Sequence, residues 1–406
     1  MRLIHTSDWH LGQNLHGQDR DYEHAAFLAW LLEQLVAQRA DALLIAGDIF
    51  DTANPPLKAQ ERLYDFIVEA HQRLPRLDIV MIAGNHDSGG RIELPAPLMR
   101  RLNAHALGRI ERLDDVLDSD RLLLPLHRAD GEIGAWCLAL PFLRPAEVTG
   151  GAVGDDYLAG IDRVHHELIA AAEARRTPEQ ALIAVSHAHM AGAAVSEDSE
   201  RNIVIGTAEA LPASLFPAQV AYVALGHLHK PQQVAGQGRI RYSGAPLPLS
   251  FAEVDYPHQV LLIELDGAEL RAVESLPVPR AVAMLRVGPA PLAEVLERLA
   301  ALPDAALPRE RRPWLEVRVQ LEQPQPDLRQ QIEAALDGKS CRLVRIASEY
   351  HGRSEEAPAL VGLDQLSPQE LFRRSWQAEY HNEADAQVLE DFMTLLQTVE
   401  LQGGRA

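Results

Sequence analysis

Four stretches of the chain share one form: an apolar run, one or two small residues, then a carboxylate, an amide or an imidazole. They read DALLIAGD at 41–48, LDIVMIAGNHD at 77–87, ALIAVSH at 181–187 and VAYVALGH at 220–227. A fifth, RLIHTSDWH at 2–10, opens the sequence and brings Asp8 and His10 close together after a short strand-like run. Apolar runs without polar alternation are strands buried on both faces, which requires a sheet covered on each side. Between them lie helical patterns. Phe27, Leu28, Leu31, Leu32, Leu35 and Val36 fall on one helical face, and a second helix is expected around 57–71. Strands separated by helices imply a layered α/β core. In open α/β sheets functional groups gather at the carboxyl ends of strands, so the five loops are placed to converge. Gly47, Gly84 and Gly226 suit the sharp turns such a convergence needs.

The pattern changes near residue 275. ESLPVPRA, with two prolines in three residues, reads as a linker. After it come the strand-like AVAMLRV, a helix from Leu292 to Leu302, the alternating WLEVRVQL, a helix from Asp327 to Leu336, and CRLVRIA. This is a β-α-β-α-β module. SEEAPALVG reads as a second linker. SPQELFRRSW then carries a capping-box signature, with Ser367 as N-cap, Pro368 at the first helical position and Glu370 at the third. A last helix has Val388, Phe392, Leu395, Leu396 and Val399 on one stripe. The expected domains are therefore 1–275, 280–350 and a helical segment at 363–402. No internal repeat or low-complexity tract is evident.

Composition narrows the class. At 406 residues, 47% hydrophobic and 24% charged, the chain is an ordinary globular protein of two or three domains. Cys137 and Cys341 are far apart, which argues against a disulfide framework and for a reducing, cytoplasmic compartment. No signal peptide is visible at the start, and no apolar run approaches the ~20 residues a membrane span needs. The formal net charge of −20 runs against the basic footprint expected of a nucleic-acid binder. It leaves room for a local basic groove, a basic partner or a site neutralised by metal. No Walker A pattern occurs, so any ATP chemistry belongs to another chain.

The loop donors are Asp8, His10, Asp48, Asn85, His86, His187, His227 and His229. A mixed oxygen and imidazole set without cysteine disfavours structural zinc and suits catalytic manganese, iron or zinc. A shared carboxylate can bridge two ions ~3.5–4 Å apart, the spacing used for displacement at phosphorus, and Asp48 is the candidate bridge. Blander readings apply elsewhere. His5, His16, His24 and His258 are taken as structural, and Trp9 as packing beside the site. Asp51 either orients a neighbouring histidine or sits on a loop surface. His189 is an alternative to His187. The arginines of RIELPAPLMRRLNAHALGR are read first as a solvated face.

Aspartate-x-histidine, then GDxxD, GNHD, a lone histidine and GHxH, in this order, resemble the calcineurin-like metallophosphoesterase superfamily. HTSDWHLGQN, AGDIFDTANPP, PFLRP, IGTAEALPASLFP and YSGAPLPLSF are similar to one branch of it, a family of bacterial DNA nuclease subunits. The resemblance is strong over about the first two thirds and looser beyond. It implies a metallophosphoesterase β-sandwich flanked by helices, a small α/β capping domain that contacts DNA, and a C-terminal helical segment that docks on a partner. It also implies two divalent ions, manganese being expected. Asp8, His10, Asp48 and His229 would hold one ion, and Asp48, Asn85, His187 and His227 the other. His86 would not be a ligand but would protonate the leaving oxygen or steady the transition state, a role its usual pKa suits. The implied activity is double-strand exonuclease and single-strand or hairpin endonuclease cleavage in DNA recombination and replication. The implied partner is an ABC-type ATPase with a long coiled coil, around a homodimer of this chain. A cyclic-nucleotide phosphodiesterase of the same superfamily is the alternative, and a non-catalytic tether is a more distant one.

Overall fold

The computed structural model describes residues 1–114, 116–148, 157–194, 210–304 and 307–350, together with Phe372, Trp376 and Phe392. The chain divides into two compact units, Met1–Gln320 with Gln325–Glu349, and Leu321–Pro324 with Tyr350–Ala406.

The first unit begins with β1 (Arg2–Thr6), α1 (Asp21–Gln38), β2 (Ala42–Ala46), α2 (Leu57–Arg73), β3 (Asp78–Ile82) and β4 (Ala104–Leu107). It continues with β5 (Leu123–His127), β6 (Ile133–Leu140), α3 (Tyr157–Glu173), β7 (Ala181–His187), β8 (Tyr222–Gly226), β9 (Gln232–Val234), β10 (Gln237–Tyr242), β11 (Gln259–Asp266) and β12 (Glu269–Pro277). These strands form two six-stranded sheets, ordered β12-β11-β1-β2-β3-β4 and β9-β10-β8-β7-β6-β5. The inner strands of each are parallel, while β11, β12, β5 and β9 add antiparallel edges.

Period-two alternation sorts the continuous apolar runs between two cores. Leu3, Ala42, Leu44, Ala46, Val80 and Ile82 face the second sheet and pack with Leu182, Ala184, Val223 and Leu225. Ile4, Leu43, Ile45, Ile79 and Met81 face the other way and pack on Phe27, Leu31 and Leu35 of α1 and Leu63, Phe66 and Ile67 of α2. Both faces are therefore buried, which is why these strands lack polar alternation. Helix α1 ends at Arg39 in the left-handed conformation, whose N–H reaches Leu35 O and Val36 O.

The strand pairing shifts one expected boundary. ESLP, read above as linker, is the end of β12, because Ser275, Leu276 and Pro277 continue the antiparallel ladder with Leu261, Val260 and Gln259. Proline is tolerated there because β12 is an edge strand. The C-terminal module of this unit follows as β13 (Met284–Pro291), α4 (Leu292–Ala300), β14 (Trp314–Leu321), α5 (Leu328–Ala335) and β15 (Arg342–Tyr350), a three-stranded sheet in that strand order. Parallel pairing of β13 with β14 requires a crossover, which α4 supplies while burying Val295 and Leu299.

In the second unit only three residues beyond Tyr350 are described. Phe372, Trp376 and Phe392 are helical, and the rings of Phe372 and Phe392 stack with centroids 4.2 Å apart. The second linker, the capping box at Ser367 and the rest of the expected 363–402 helices lie outside the described residues.

Three buried histidines make stability depend on pH. His5 crosses the sandwich, accepting from Tyr222 Oη at Nδ1 (2.9 Å) and donating from Nε2 to Leu225 O (3.1 Å). His165 donates from Nδ1 to Ile161 O, and its buried Nε2 has no partner; Nε2 of His24 has none either. Burial lowers the pKa of His5 and His24 to about 3 and that of His165 to about 4. These groups stay neutral in the folded protein but protonate near 6.5 when unfolded. Their contribution is complete above pH 6.5 and is lost as pH falls toward 4, by about 1.4 kcal/mol per pH unit for each histidine. Urea unfolding midpoints should therefore fall steeply from pH 6.5 to 5, and His165→Leu should flatten that slope by about one proton's worth.

Candidate metal centre

All five donor loops leave the carboxyl ends of parallel strands, three from the first sheet and two from the facing sheet. Backbone bonds join the first two loops. Asp8 N donates to Gly47 O (3.0 Å), His10 N to Asp48 O (3.0 Å) and Leu11 N to Ile49 O (2.9 Å). Asp8, His10, Asp48 and His227 all have positive φ, between 46° and 107°. Such strain in non-glycine residues persists only where surrounding structure over-determines it. The glycines are there for space. A Cβ on Gly84 would overlap Asp48 Oδ1, one on Gly47 would overlap His187 Nδ1, and one on Gly226 would overlap Ala46 O.

Asp48 lies at the centre. Its Oδ1 accepts from His86 N (2.8 Å), and its Oδ2 lies 3.7 Å from His10 Nε2 and 3.4 Å from His187 Nε2. Asp8 belongs to two donor groups, one with His10 and His229 and one with Asp48 and His187, each within 4.8 Å. Asn85 Oδ1 is 2.9 Å from His187 Nε2 and 3.2 Å from His227 Nδ1. The eight expected residues are thus together. His189 stands to one side, its ring 6.1 Å from that of His227, and outside the donor groups found among the described residues.

Several further residues support the donors, and Asp51 takes the orienting role that its place in GDxxD allowed. Asp51 orients two histidines: its carboxylate meets His10 Nδ1 at 3.2 Å and its carbonyl accepts from His86 Nδ1 at 2.8 Å. Ser7 Oγ donates to Asp8 Oδ2 (2.5 Å) and meets Ser243 Oγ (2.9 Å), which gives the YSGAP stretch a contact with the site. Glu253 accepts from His229 Nδ1 at 2.8 Å. Trp9 is packing, edge-on to Phe27 and Phe66, with Nε1 donating to Thr6 Oγ1. His258 bonds Ala245 O and Glu253 O, and so is structural.

Asp87, the last letter of GNHD, is the clamp between the second and third loops. Its buried carboxylate accepts from Ile49 N (3.1 Å), Phe50 N (2.9 Å) and Gly84 N (2.9 Å). Burial, then the nearby Asp48 charge, pushes its pKa up to about 6. Asp87→Ala would orphan three buried N–H groups at about 1 kcal/mol or more each. Urea unfolding should show a loss of about 3 kcal/mol, and metal affinity should fall with it.

The electrostatics and the donors fit divalent cations. Burial would raise the Asp48 carboxyl, but the facing His187, His10 and His86 imidazoles outweigh it and hold it well below the usual range. Burial would lower His187, yet the Asp48 carboxylate, with Asp8 behind it, pushes it up to about 9. The negative field that draws a proton here would equally draw a cation. His187 Nδ1 is committed to Ala46 O (2.8 Å) and His229 Nδ1 to Glu253, which turns Nε2 of each toward the carboxylates. His10 Nε2 is buried without a hydrogen-bond partner. A buried orphan nitrogen beside two carboxylates is what an imidazole ligand presents before metal binds.

A sandwich with such loops defines a class, the metal-dependent phosphoesterases. The family model described as calcineurin-like phosphoesterase matches residues 1–231, and the one described as type 5 capsule protein repressor C-terminal domain matches 279–380. The chain is 42% identical to the SbcD component of the SbcCD nuclease of Rhodobacter capsulatus, over 92% of this chain and 93% of that one. It is 34% identical to the Escherichia coli K12 protein of the same name over 98% of each, and 35% identical to that of Bacillus subtilis over 66% and 67%. The chain belongs to the calcineurin-like phosphoesterase family, in its SbcD branch. No described helix is long and apolar enough to cross a membrane.

Proposed function

We propose that this chain is the nuclease component of an SbcCD complex, hydrolysing DNA phosphodiester bonds with two divalent ions. In this reading it acts as a double-strand exonuclease and a single-strand and hairpin endonuclease, alongside an SbcC-type ABC ATPase, in the cytoplasm. One observation carries the reading: Asp48 Oδ2 lies between His10 Nε2 at 3.7 Å and His187 Nε2 at 3.4 Å, as a bridging carboxylate must.

Asp8, His10, Asp48 and His229 are assigned to one ion and Asp48, Asn85, His187 and His227 to the other; the donor set suits manganese, iron or zinc, and the family resemblance favours manganese. Bound there, the ions would supply Lewis acidity toward phosphoryl oxygens and make water acidic near neutral pH. The chain's own residues do the rest. Asp51 and Glu253 hold the rings of His10, His86 and His229, and Asp87 clamps the loops carrying Asp48 and Asn85. With Nδ1 of His86 committed to Asp51 O, a proton for the leaving oxygen would come from Nε2. The module at 280–350 is assigned to DNA contact, the segment at 363–402 to docking on the ATPase, and the assembly to a homodimer within a heterotetramer.

The test is a nuclease assay with the ATPase partner, ATP and Mn²⁺ on end-labelled linear and hairpin DNA. Cleavage of both is expected. Turnover of cyclic nucleotides with no cut in either DNA would replace this reading with the small-molecule phosphodiesterase.

A further inference from the structure

The C-terminal α/β module is joined to one edge of the candidate metal centre by a continuous set of buried and part-buried polar contacts. At the site end, Glu253 is 0% exposed and His229 3%. Glu253 Oε1 accepts from His229 Nδ1 (2.8 Å) and Oε2 accepts from Leu249 N (2.8 Å), so one carboxylate joins the imidazole to the turn at 248–253. That turn is held from two sides. Arg20 donates from Nη1 to Pro248 O (2.7 Å) and to Gln13 Oε1 (2.7 Å), while Gln13 Nε2 donates to Leu249 O (2.8 Å). From the C-terminal module, Arg286 Nη2 donates to Phe251 O (2.6 Å) and its Nε to Glu316 Oε2 (2.8 Å).

The module also reaches the arginine. Trp314 Nε1, at the start of β14, donates to Glu23 Oε2 (2.8 Å), and Glu23 pairs through both oxygens with Arg20 Nε (3.0 Å) and Nη2 (2.8 Å). Arg342 lies over the Trp314 ring, 3.2 Å from its centroid. Phe251, Val282, Met284, Trp314 and Leu15 form a small apolar core around these bonds. A buried ion pair such as Arg20–Glu23 specifies geometry more than it stabilises, since desolvation offsets much of its attraction. Loss of Arg20, Glu23, Trp314 or Glu253 would leave a buried charge or donor unpaired, so this part of the network holds position stiffly.

We propose that Glu253 is a positioning residue for His229, and that the C-terminal module, by gripping the 248–253 turn through Arg286 and the Trp314–Glu23–Arg20 set, helps determine metal affinity at the His229 side of the centre. The inference rests on the reading of His229 as a metal ligand. A carboxylate on the far nitrogen of a ligating histidine sets ring orientation and basicity, and its loss typically costs 10- to 100-fold in metal affinity. The module thus has a role in the centre separate from any contact it makes with substrate.

Mn²⁺ titration of the metal-free full chain, followed by calorimetry and by electron paramagnetic resonance, tests this without reference to turnover. Glu253→Ala should weaken one of two Mn²⁺ sites by about 10- to 100-fold. Glu253→Gln keeps an oxygen for His229 but turns its amide on Leu249 N, and should recover most of that loss. Arg286→Ala, outside every donor group found among the described residues, should weaken the same site by a few-fold. Wild-type affinity in a folded Glu253→Ala protein would overturn the proposal. If that variant does not fold, wild-type affinity in Arg286→Ala would do so. His229→Ala separates the two layers: unchanged Mn²⁺ binding there means His229 is not a ligand, whereas loss in His229→Ala alone means only the positioning role is wrong.

Discussion

The His86→Ser protein is expected to bind two Mn²⁺ ions with near wild-type affinity yet cut DNA roughly 100- to 10,000-fold more slowly, the range for loss of a general acid. The separation follows from how His86 is attached. Its backbone N–H, which serine retains, donates to Asp48 Oδ1 (2.8 Å), so the Asp48 carboxylate keeps its support. The side chain donates to Asp51 O and lies edge-on to His10, with ring centroids 4.9 Å apart; it could also join His10 and Asp51 in a third donor group, which is why metal binding is measured alongside cleavage. Single-turnover cleavage alongside Mn²⁺ calorimetry measures both quantities on one preparation. Lost metal binding would make His86 a ligand and require new donor assignments.

Asp48→Asn should be worse for metal and for chemistry together. The amide keeps the shape of the carboxylate but removes the charge that faces His10 at 3.7 Å and His187 at 3.4 Å, and it can turn an N–H₂ toward either. If one residue serves both ions, both sites weaken at once, and the several kcal/mol they contribute at the phosphoryl centre correspond to a rate loss on the order of 1,000-fold or more. Calorimetry should show no high-affinity Mn²⁺ site. Retention of one tight site would mean that Asp48 belongs to a single ion. The contrast with His86→Ser is the diagnostic: on the proposed assignments one substitution removes a proton donor, the other removes the centre.

The donor loops can be read from the sequence because what builds them is local. An apolar run closed by glycine and then a donor is a buried strand delivering that donor at its carboxyl end, and this holds for Asp48, Asn85 and His227. The glycines carry a second message that spacing hints at and only coordinates explain. Gly84 lies against Asp48, and Gly47 and Gly226 both lie against the His187 ring, so each marks a place where another loop passes too close for a Cβ. His187 against His189 is open in the sequence, since positions two apart on a strand face the same way. The structure ends β7 at His187, whose Nδ1 is held by Ala46 O from the other sheet.

The boundary near residue 275 shows the opposite case. Prolines read as a linker, but Ser275 and Leu276 extend an edge strand because β11 offers them a partner. Pairing partners are not a local property. The same holds for the supporting residues. Glu253 is 24 residues from His229, Asp87 is 38 from Ile49, and Ser243 is 236 from Ser7.

Strand and helix alternation, the order of the donors and the kind of metal they suit are all written in the amino-acid order, because burial, periodicity and side-chain chemistry act within a few residues. Three-dimensional packing alone settles which carboxylate stands between which imidazoles, which nitrogen each histidine presents, and that the C-terminal module reaches the 248–253 turn that holds His229. Those follow from two sheets packing face to face, which brings into hydrogen-bond range groups that the chain separates by up to hundreds of residues.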